Sequence, residues 1–320
     1  MSLLQVADLQ THYQTARGLL KAVDGVSFQI APGESVGLVG ESGCGKSTLG
    51  KAILGLAPVT GGVVRFDGRE VSRLAGRARA PFRRRMQMIF QDPYGSLNPR
   101  HSIGEILGAP LAVHGLGNAA ERQQKVERLL AKVGLPADSI HRYPHEFSGG
   151  QRQRIGIARA LILGPDLVVC DEPVSALDLS VQAQIINLLV SLKGEFGLSF
   201  LFISHDLSVV RYFSDRVLVM YLGVIVESAM ARQLWRRPLH PYTQALIAAV
   251  PDPARRRQAA PLAGDLPGPQ DIPPGCRFHP RCALASARCR IEAPLPRVLA
   301  PGHQVACHHA EDAPSAALQP

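Results

Sequence analysis

The sequence predicts an α/β protein, a mostly parallel sheet with helices on both faces, followed by an irregular appendage. Three observations carry that prediction. Short apolar runs alternate with helical patterns, and such alternation implies crossover connections. A glycine-rich turn, Gly40-Glu41-Ser42-Gly43-Cys44-Gly45-Lys46-Ser47-Thr48, lies between an apolar strand and a helix. From Pro251 onward periodicity fades, and the last 70 of the 320 residues hold 13 of the 25 prolines.

The elements follow in order. Residues 3–30 read as strands, with Leu4, Val6 and Leu9 first and then Val23, Val26, Phe28 and Ile30 at alternating positions. Ala31-Pro32-Gly33-Glu34 is a turn, and Ser35 to Val39 is a short buried strand feeding the glycine-rich loop. Lys46 to Leu54 reads as a helix, Val63 to Phe66 as a strand, and Met86 to Phe90 as a core strand ending at Gln91. Between about 95 and 160 the segments Ile103–Ala112, Ala119–Val133 and Gln151–Leu163 are helical with no strand between them, a helical insertion. Strands resume at Leu167 to Cys170, Ser199 to Ile203, Leu218 to Met220 and Gly223 to Val226, with a helix over Val181 to Leu192. There is no internal repeat. The expected organisation is a domain over 1–250, an extension over 251–309 and a disordered tail over 310–320.

Composition narrows the function classes. At 46% hydrophobic and 19% charged residues, the chain can build a sizeable core. The formal charge of +9 admits nucleic acid or an anionic membrane face as partner, or simply an arginine-rich composition. Aromatics at 5% argue against stacking platforms for single strands, so nucleic acid is not expected. The start of the chain lacks a basic region before an apolar run, and no run approaches the ~20 residues that span a bilayer. A soluble, cytosolic protein is expected, one that meets a membrane only through integral partners. Arg83-Arg84-Arg85 and Arg255-Arg256-Arg257 read first as solvated surface, with an anionic leaflet as the alternative.

The glycine-rich turn has the form G-x-x-x-x-G-K-[ST] of a P-loop. Its glycines let the backbone turn tightly with N–H groups aimed at phosphate. Lys46 would reach the β- and γ-phosphates of ATP, Ser47 would ligate Mg²⁺, and the following helix would present its N-terminus to the anion. Val168-Val169-Cys170-Asp171-Glu172 fits a Walker B strand, with Asp171 near Mg²⁺ and Glu172 as a general base for the attacking water. Gln91 ends a core strand and could touch Mg²⁺ or water, while His205 ends another and could contact the γ-phosphate. Each of these two is ordinary alone and gains weight from the set. A second glycine turn, Ser148-Gly149-Gly150-Gln151, cannot serve the phosphate held by the first. Two such loops suggest that ATP is used jointly with a second copy or a relative.

Together these segments resemble the nucleotide-binding subunit of an ABC transporter, from residue 3 to about 309. Ser148-Gly149-Gly150-Gln151-Arg152-Gln153-Arg154 resembles the family signature, with Phe147 where leucine is commonest. Ser175-Ala176-Leu177-Asp178 matches the D-loop, and Tyr13 stands where the family stacks an aromatic on adenine. The resemblance implies an ABC ATPase core with an antiparallel β subdomain and a helical subdomain. It also implies two such domains sandwiching two ATP molecules head to tail, the signature of one on the P-loop of the other.

Three stretches are similar to the ATP-binding subunits of bacterial dipeptide and oligopeptide importers: Gln91-Asp92-Pro93-Tyr94-Gly95-Ser96-Leu97-Asn98-Pro99, Leu239-His240-Pro241-Tyr242-Thr243-Gln244-Ala245-Leu246, and Gly275-Cys276-Arg277-Phe278-His279-Pro280-Arg281-Cys282. Nickel and glutathione importers share this subfamily. The likeness implies ATP-driven import, a second ATP-binding subunit (a paralogue), two integral-membrane permeases, an extracytoplasmic binding protein, and a peripheral position on the cytoplasmic face of the inner membrane. A soluble ABC ATPase acting on nucleic acid or ribosomes is the alternative class; no coiled-coil insertion or second ATPase domain supports it. Cys276, Cys282, Cys289 and Cys307 are spaced C-x5-C-x6-C-x17-C. Four thiolates can hold zinc or an iron–sulfur cluster, and unligated thiols remain a third reading. The resemblance favours a [4Fe-4S] cluster, with zinc as runner-up.

Overall fold

The computed structural model describes residues 2–16, 18–92, 95–250, 267–268 and 270–312. Pro93 and Tyr94, the run Arg255–Arg257 and the end of the expected tail, 313–320, lie outside the described residues.

In chain order, strands β1 (Leu4–Thr15) and β2 (Gly18–Ile30) form a long hairpin, and β3 (Ser35–Val39) leads through the glycine loop to helix α1 (Lys46–Leu54). Next come β4 (Gly61–Phe66), β5 (Arg69–Glu70), α2 (Gly76–Arg85) and β6 (Met86–Ile89). Helices α3 (Ile103–Val113), α4 (Ala119–Lys132) and α5 (Gly149–Leu161) follow without an intervening strand, as expected. Then β7 (Leu167–Asp171), α6 (Leu179–Phe196), β8 (Ser199–Ile203), α7 (Leu207–Phe213), β9 (Arg216–Tyr221) and β10 (Val224–Met230) alternate. Helices α8 (Ala231–Arg236) and α9 (Pro241–Ala248) precede the extension, which carries α10 (Ala287–Ile291), β11 (Arg297–Ala300) and β12 (His303–Val305).

These elements fall into two compact units. One comprises 31–34 and 74–201, the other 2–30, 35–73 and the described part of 202–320.

In the first unit β6 and β7 pair in parallel, from Met86 opposite Leu167 to Ile89 opposite Cys170. All five residues of β7 are buried, the mark of a strand covered on both faces. The helical insertion is set by its caps. Ser102 and Glu105 at α3, Asn118 and Glu121 at α4, and Ser148 and Gln151 at α5 each form a reciprocal capping box. Such a cap contributes about 1 kcal/mol and fixes where each helix begins. The arginine-rich helix α2 has no apolar stripe, and of its final run Arg83 and Arg84 are exposed, while Arg85 pairs with Asp166.

In the second unit an antiparallel sheet runs in the order β2-β1-β4-β5. Strand β3 pairs in parallel with β9, β9 with β10 antiparallel, and β10 with β12 antiparallel. The largely irregular extension thus adds an edge to the sheet, with Glu227 opposite Val305. Strand β8 passes from one unit into the other. Its Phe200 N–H donates to the Glu34 carbonyl in the first, and Ser204 N–H beyond its end donates to the Leu38 carbonyl in the second.

Candidate nucleotide site

The glycine loop is held between two backbones. Gly45 caps α1 in a left-handed conformation at φ 108°, and a Cβ there would lie 2.0 Å from the Ala22 carbonyl oxygen of β2. A Cβ on Gly40 would lie 2.2 Å from the Met220 carbonyl oxygen of β9. Only glycine allows both approaches. Lys46 is buried, its Nζ donating to the carbonyls of Gly40 at 2.8 Å and Glu41 at 2.9 Å, with Cys44 Sγ at 3.9 Å. Ser47 and Thr48 lie in the first turn of α1, which holds no acidic residue. A buried ammonium at the N-terminus of a helix without a first-turn carboxylate is chemistry that fits a phosphate chain. Ser42 and Gly43 form the tip of the loop, and a Cβ on Gly43 would meet nothing within 4 Å. Cys44 is buried and its thiol is pushed up by burial, so it enters as a neutral filler.

Tyr13 lies on the same hairpin that presses on the loop, half-buried and opposite Leu20. Ser204, beside β3 through its bond to Leu38, is followed by the exposed His205, and β3 itself runs into the loop. Both expected residues therefore belong to the unit that carries the P-loop.

The other unit brings Gln91, Asp171 and Glu172 together. Asp171 is buried at the end of β7. Glu172 adopts φ 48°, an uncommon conformation for a residue with a side chain. Gln91 Nε2 donates to Glu172 Oε2 at 3.2 Å. Two buried parallel strands thus deliver an amide and two carboxylates to one edge.

The second glycine turn is itself a capping box. Ser148 Oγ accepts from Gln151 N–H at 3.3 Å, and Gln151 Oε1 accepts from Ser148 N–H at 2.9 Å. This leaves Gly149 and Gly150 as the first residues of α5, where helix N–H groups have no intrahelical partner. Phe147, the departure from the usual leucine, is buried. Asp178 stands exposed just before α6 and forms no side-chain cap bond to it.

Cys276, Cys289 and Cys307 are buried, and Cys282 is half-buried. Burial lifts the thiols of Cys276, Cys282 and Cys307, the last to about 12, and neighbouring cysteines add to each shift. The four converge in one region, yet among the described residues no group of three or more His, Cys, Asp or Glu side chains is placed to hold a metal ion. Cys289 Sγ lies 3.5 Å from Ser286 Oγ, and Cys307 Sγ accepts from His309 N–H at 3.4 Å. This arrangement of the four thiols does not fit the expected [4Fe-4S] or zinc centre.

Two contacts of the P-loop residue Glu41 are invisible to motif reading. Glu41 takes a two-point ion pair from Arg281, at 2.6 and 3.0 Å, and its N–H donates to Tyr242 Oη at 2.8 Å. Both partners lie in stretches that the sequence marks only by likeness to peptide importers.

The fold and the loop define a P-loop nucleotide-binding protein. The family model for ABC transporters matches residues 23–175, and that for the oligopeptide/dipeptide transporter C-terminal region matches 226–289. A peptide import ATP-binding protein of Brucella ovis is 54% identical over 307 residues, spanning 95% of this chain and 97% of that one. The oligopeptide transport ATP-binding protein AppF of Bacillus subtilis is 50% identical over 319 residues, 96% of this chain and 97% of that protein. Among solved structures, a dimeric ATP-binding cassette, MJ0796, in a post-hydrolysis state bound to ADP and Pi, matches with a TM-score of 0.66 at 29% identity, over 72% of this chain and 99% of that one. The chain belongs to the ABC transporter family, as one of its ATP-binding subunits.

Proposed function

We propose that this chain binds and hydrolyses ATP to drive peptide import through a membrane transporter at the cytoplasmic face of the bacterial inner membrane. The observation that carries the reading is the oligopeptide/dipeptide transporter C-terminal region matched over 226–289. The relatives above, named for peptide and oligopeptide transport, support it over nearly their full length. Among the described residues no helix is long and apolar enough to cross a membrane. Membrane passage then falls to partners: two permeases, with a binding protein outside and a second ATP-binding subunit, a paralogue, beside this one.

In this reading Lys46 and the loop amides hold the β- and γ-phosphates, Ser47 and Asp171 hold Mg²⁺, and Tyr13 stacks on adenine. Mg²⁺ supplies charge neutralisation at the phosphates. Glu172 accepts a proton from the attacking water, with Gln91 fixing its carboxylate, and His205 reads the γ-phosphate. Ser148, Gly149, Gly150 and Gln151 face the nucleotide of the partner subunit, and Asp178 lies at that junction. The dimeric state recorded for MJ0796 supports joint use of ATP.

Uptake of labelled di- and oligopeptides by cells carrying Glu172→Gln tests the function. Peptide uptake should fail; intact peptide uptake with lost nickel or glutathione uptake would reassign the cargo. Iron, sulfide and zinc analysis of protein purified without oxygen tests the cysteines: stoichiometric iron and sulfide would restore the cluster expectation, stoichiometric zinc its runner-up, and four titratable thiols with neither metal overturn both.

A further inference from the structure

We propose that Arg281 and Tyr242, from the C-terminal part of the chain, are positioning residues of the phosphate-binding loop. The inference rests on reading Gly40–Thr48 as the nucleotide site. Arg281 reaches Glu41 across 240 positions and forms a two-point pair, with its own side chain only 6% exposed. Paired N–H···O bonds of this kind fix orientation as well as distance. Tyr242 Oη accepts the N–H of the same residue at 2.8 Å. The Glu41 carbonyl in turn accepts from Lys46 Nζ at 2.9 Å. Side chain, N–H and carbonyl of one loop residue are thus all committed, and the last commitment sets where Lys46 stands.

The brace is itself supported. The Tyr242 ring packs on Tyr221 at 4.7 Å and on Phe278 at 5.4 Å between centroids, and Tyr221 meets Phe278 edge-on at 5.3 Å. Tyr242 and Phe278 are buried, so the hydroxyl is held by packing. A second arginine, Arg277, bonds the Leu222 carbonyl and pairs with Asp24, tying the same segment to β2 and to the turn after β9. No general feature of a P-loop requires an acid at position 41, since glycines, Lys46 and Ser47 suffice for phosphate. A glutamate beside a phosphate site is electrostatically adverse unless neutralised, and Arg281 neutralises it. The extension therefore completes the loop instead of merely trailing it.

The test is equilibrium binding of ATP and of AMP, each with Mg²⁺, to the full chain. Arg281→Met keeps the aliphatic stem and removes the charge. It should weaken ATP binding about tenfold, the size expected when one partner of a part-buried pair is left unsatisfied. AMP, which has no β- or γ-phosphate for Lys46, should change little, a split that general loosening of the fold would not produce. Tyr242→Phe keeps the ring and drops the hydroxyl, and should show the same split to a smaller degree. The exchange Glu41→Arg with Arg281→Glu should restore ATP affinity toward wild type. Unchanged ATP affinity in both single variants, or equal losses for ATP and AMP, would overturn the brace. If Lys46→Ala binds ATP as wild type does, the loop reading itself fails, which is a separate outcome.

Discussion

Gln91 and Glu172 meet because they occupy equivalent places just beyond the ends of two neighbouring parallel strands. Ile89 pairs with Cys170, and each functional residue lies two positions further on. The amide of Gln91 then donates to Glu172 Oε2 at 3.2 Å. The contact follows from strand register, so it is as fixed as the buried strands that carry it.

Replacing Glu172 with Gln changes no volume and keeps an oxygen for the Gln91 amide. Folding and ATP binding should therefore persist. Hydrolysis should fall about 10²–10⁴-fold, the range for loss of a general base. Steady-state turnover alongside nucleotide binding checks this, and undiminished turnover would remove Glu172 from its role.

The two glycines of the second turn differ sterically, and that separates folding from function. A Cβ on Gly149 would lie 3.5 Å from Leu177 Cδ2, an ordinary contact, whereas one on Gly150 would lie 2.5 Å from Val181 Cγ1. Gly149→Ala should fold normally, with a melting temperature near wild type. Gly150→Ala should lose about 1–3 kcal/mol by overpacking against α6. A well-folded Gly149→Ala that loses ATP turnover only when paired with its partner subunit would place the defect at a shared site; full turnover would argue against that placement.

Much of this was legible in the sequence, for identifiable reasons. Buried parallel strands show as unbroken apolar runs, so β3, β7 and β8 are found within a residue or two. The helices α3 to α5 announce themselves by their period. Helix α2 has no such period, a lone Phe82 standing among arginine, alanine and glycine around a proline, and it escapes the pattern. The strands β11 and β12 are four and three residues long and owe their state to the edge of β10, a tertiary cause invisible locally. The turn Ser148–Gln151 was readable as a family signature, while its capping box shows only in the structure. The Glu41–Arg281 pair was not readable, because nothing in local sequence joins positions 240 residues apart.

Acid should destabilise the fold through His240. Its ring is fully buried, and burial holds its pKa down to about 4, with the Glu227 carboxylate opposing that shift. Its Nδ1 accepts the Tyr242 N–H at 3.0 Å and so caps α9, which only a neutral ring can do. The folded pKa lies below the unfolded value of about 6.5, so the unfolded chain binds more protons between the two. Stability is complete above about pH 6.5 and declines as pH falls toward 4, by on the order of 3 kcal/mol. Denaturant unfolding at pH 7.5, 6 and 5 should show the decline, and His240→Asn, a cap that does not titrate, should flatten it. An equal slope in that variant would assign the pH dependence elsewhere.

Glu227 binds the extension to the rest of its unit from a position with no solvent contact. Its two oxygens accept from Leu239 N–H at 2.7 Å, from His240 N–H at 2.9 Å and from His303 Nε2 at 2.7 Å. The residue sits at a register shift in β10, between β9 and β12, with His303 on the latter. One carboxylate thereby joins the sheet, the start of α9 and the added edge strand. Glu227→Gln replaces one oxygen with a donor, which must face an N–H, so two donors oppose each other in a buried site. Glu227→Ala leaves all three donors unpaired. The alanine variant should cost about 3–5 kcal/mol, as for removing one member of a buried charged network, and the glutamine variant somewhat less. Unfolding free energies measure both. Because His303 and the P-loop brace belong to the same C-terminal segment, the two variants should also accelerate hydrogen exchange at β12 before they affect α1. Exchange rising first at α1 would break the proposed link between Glu227 and the edge strand.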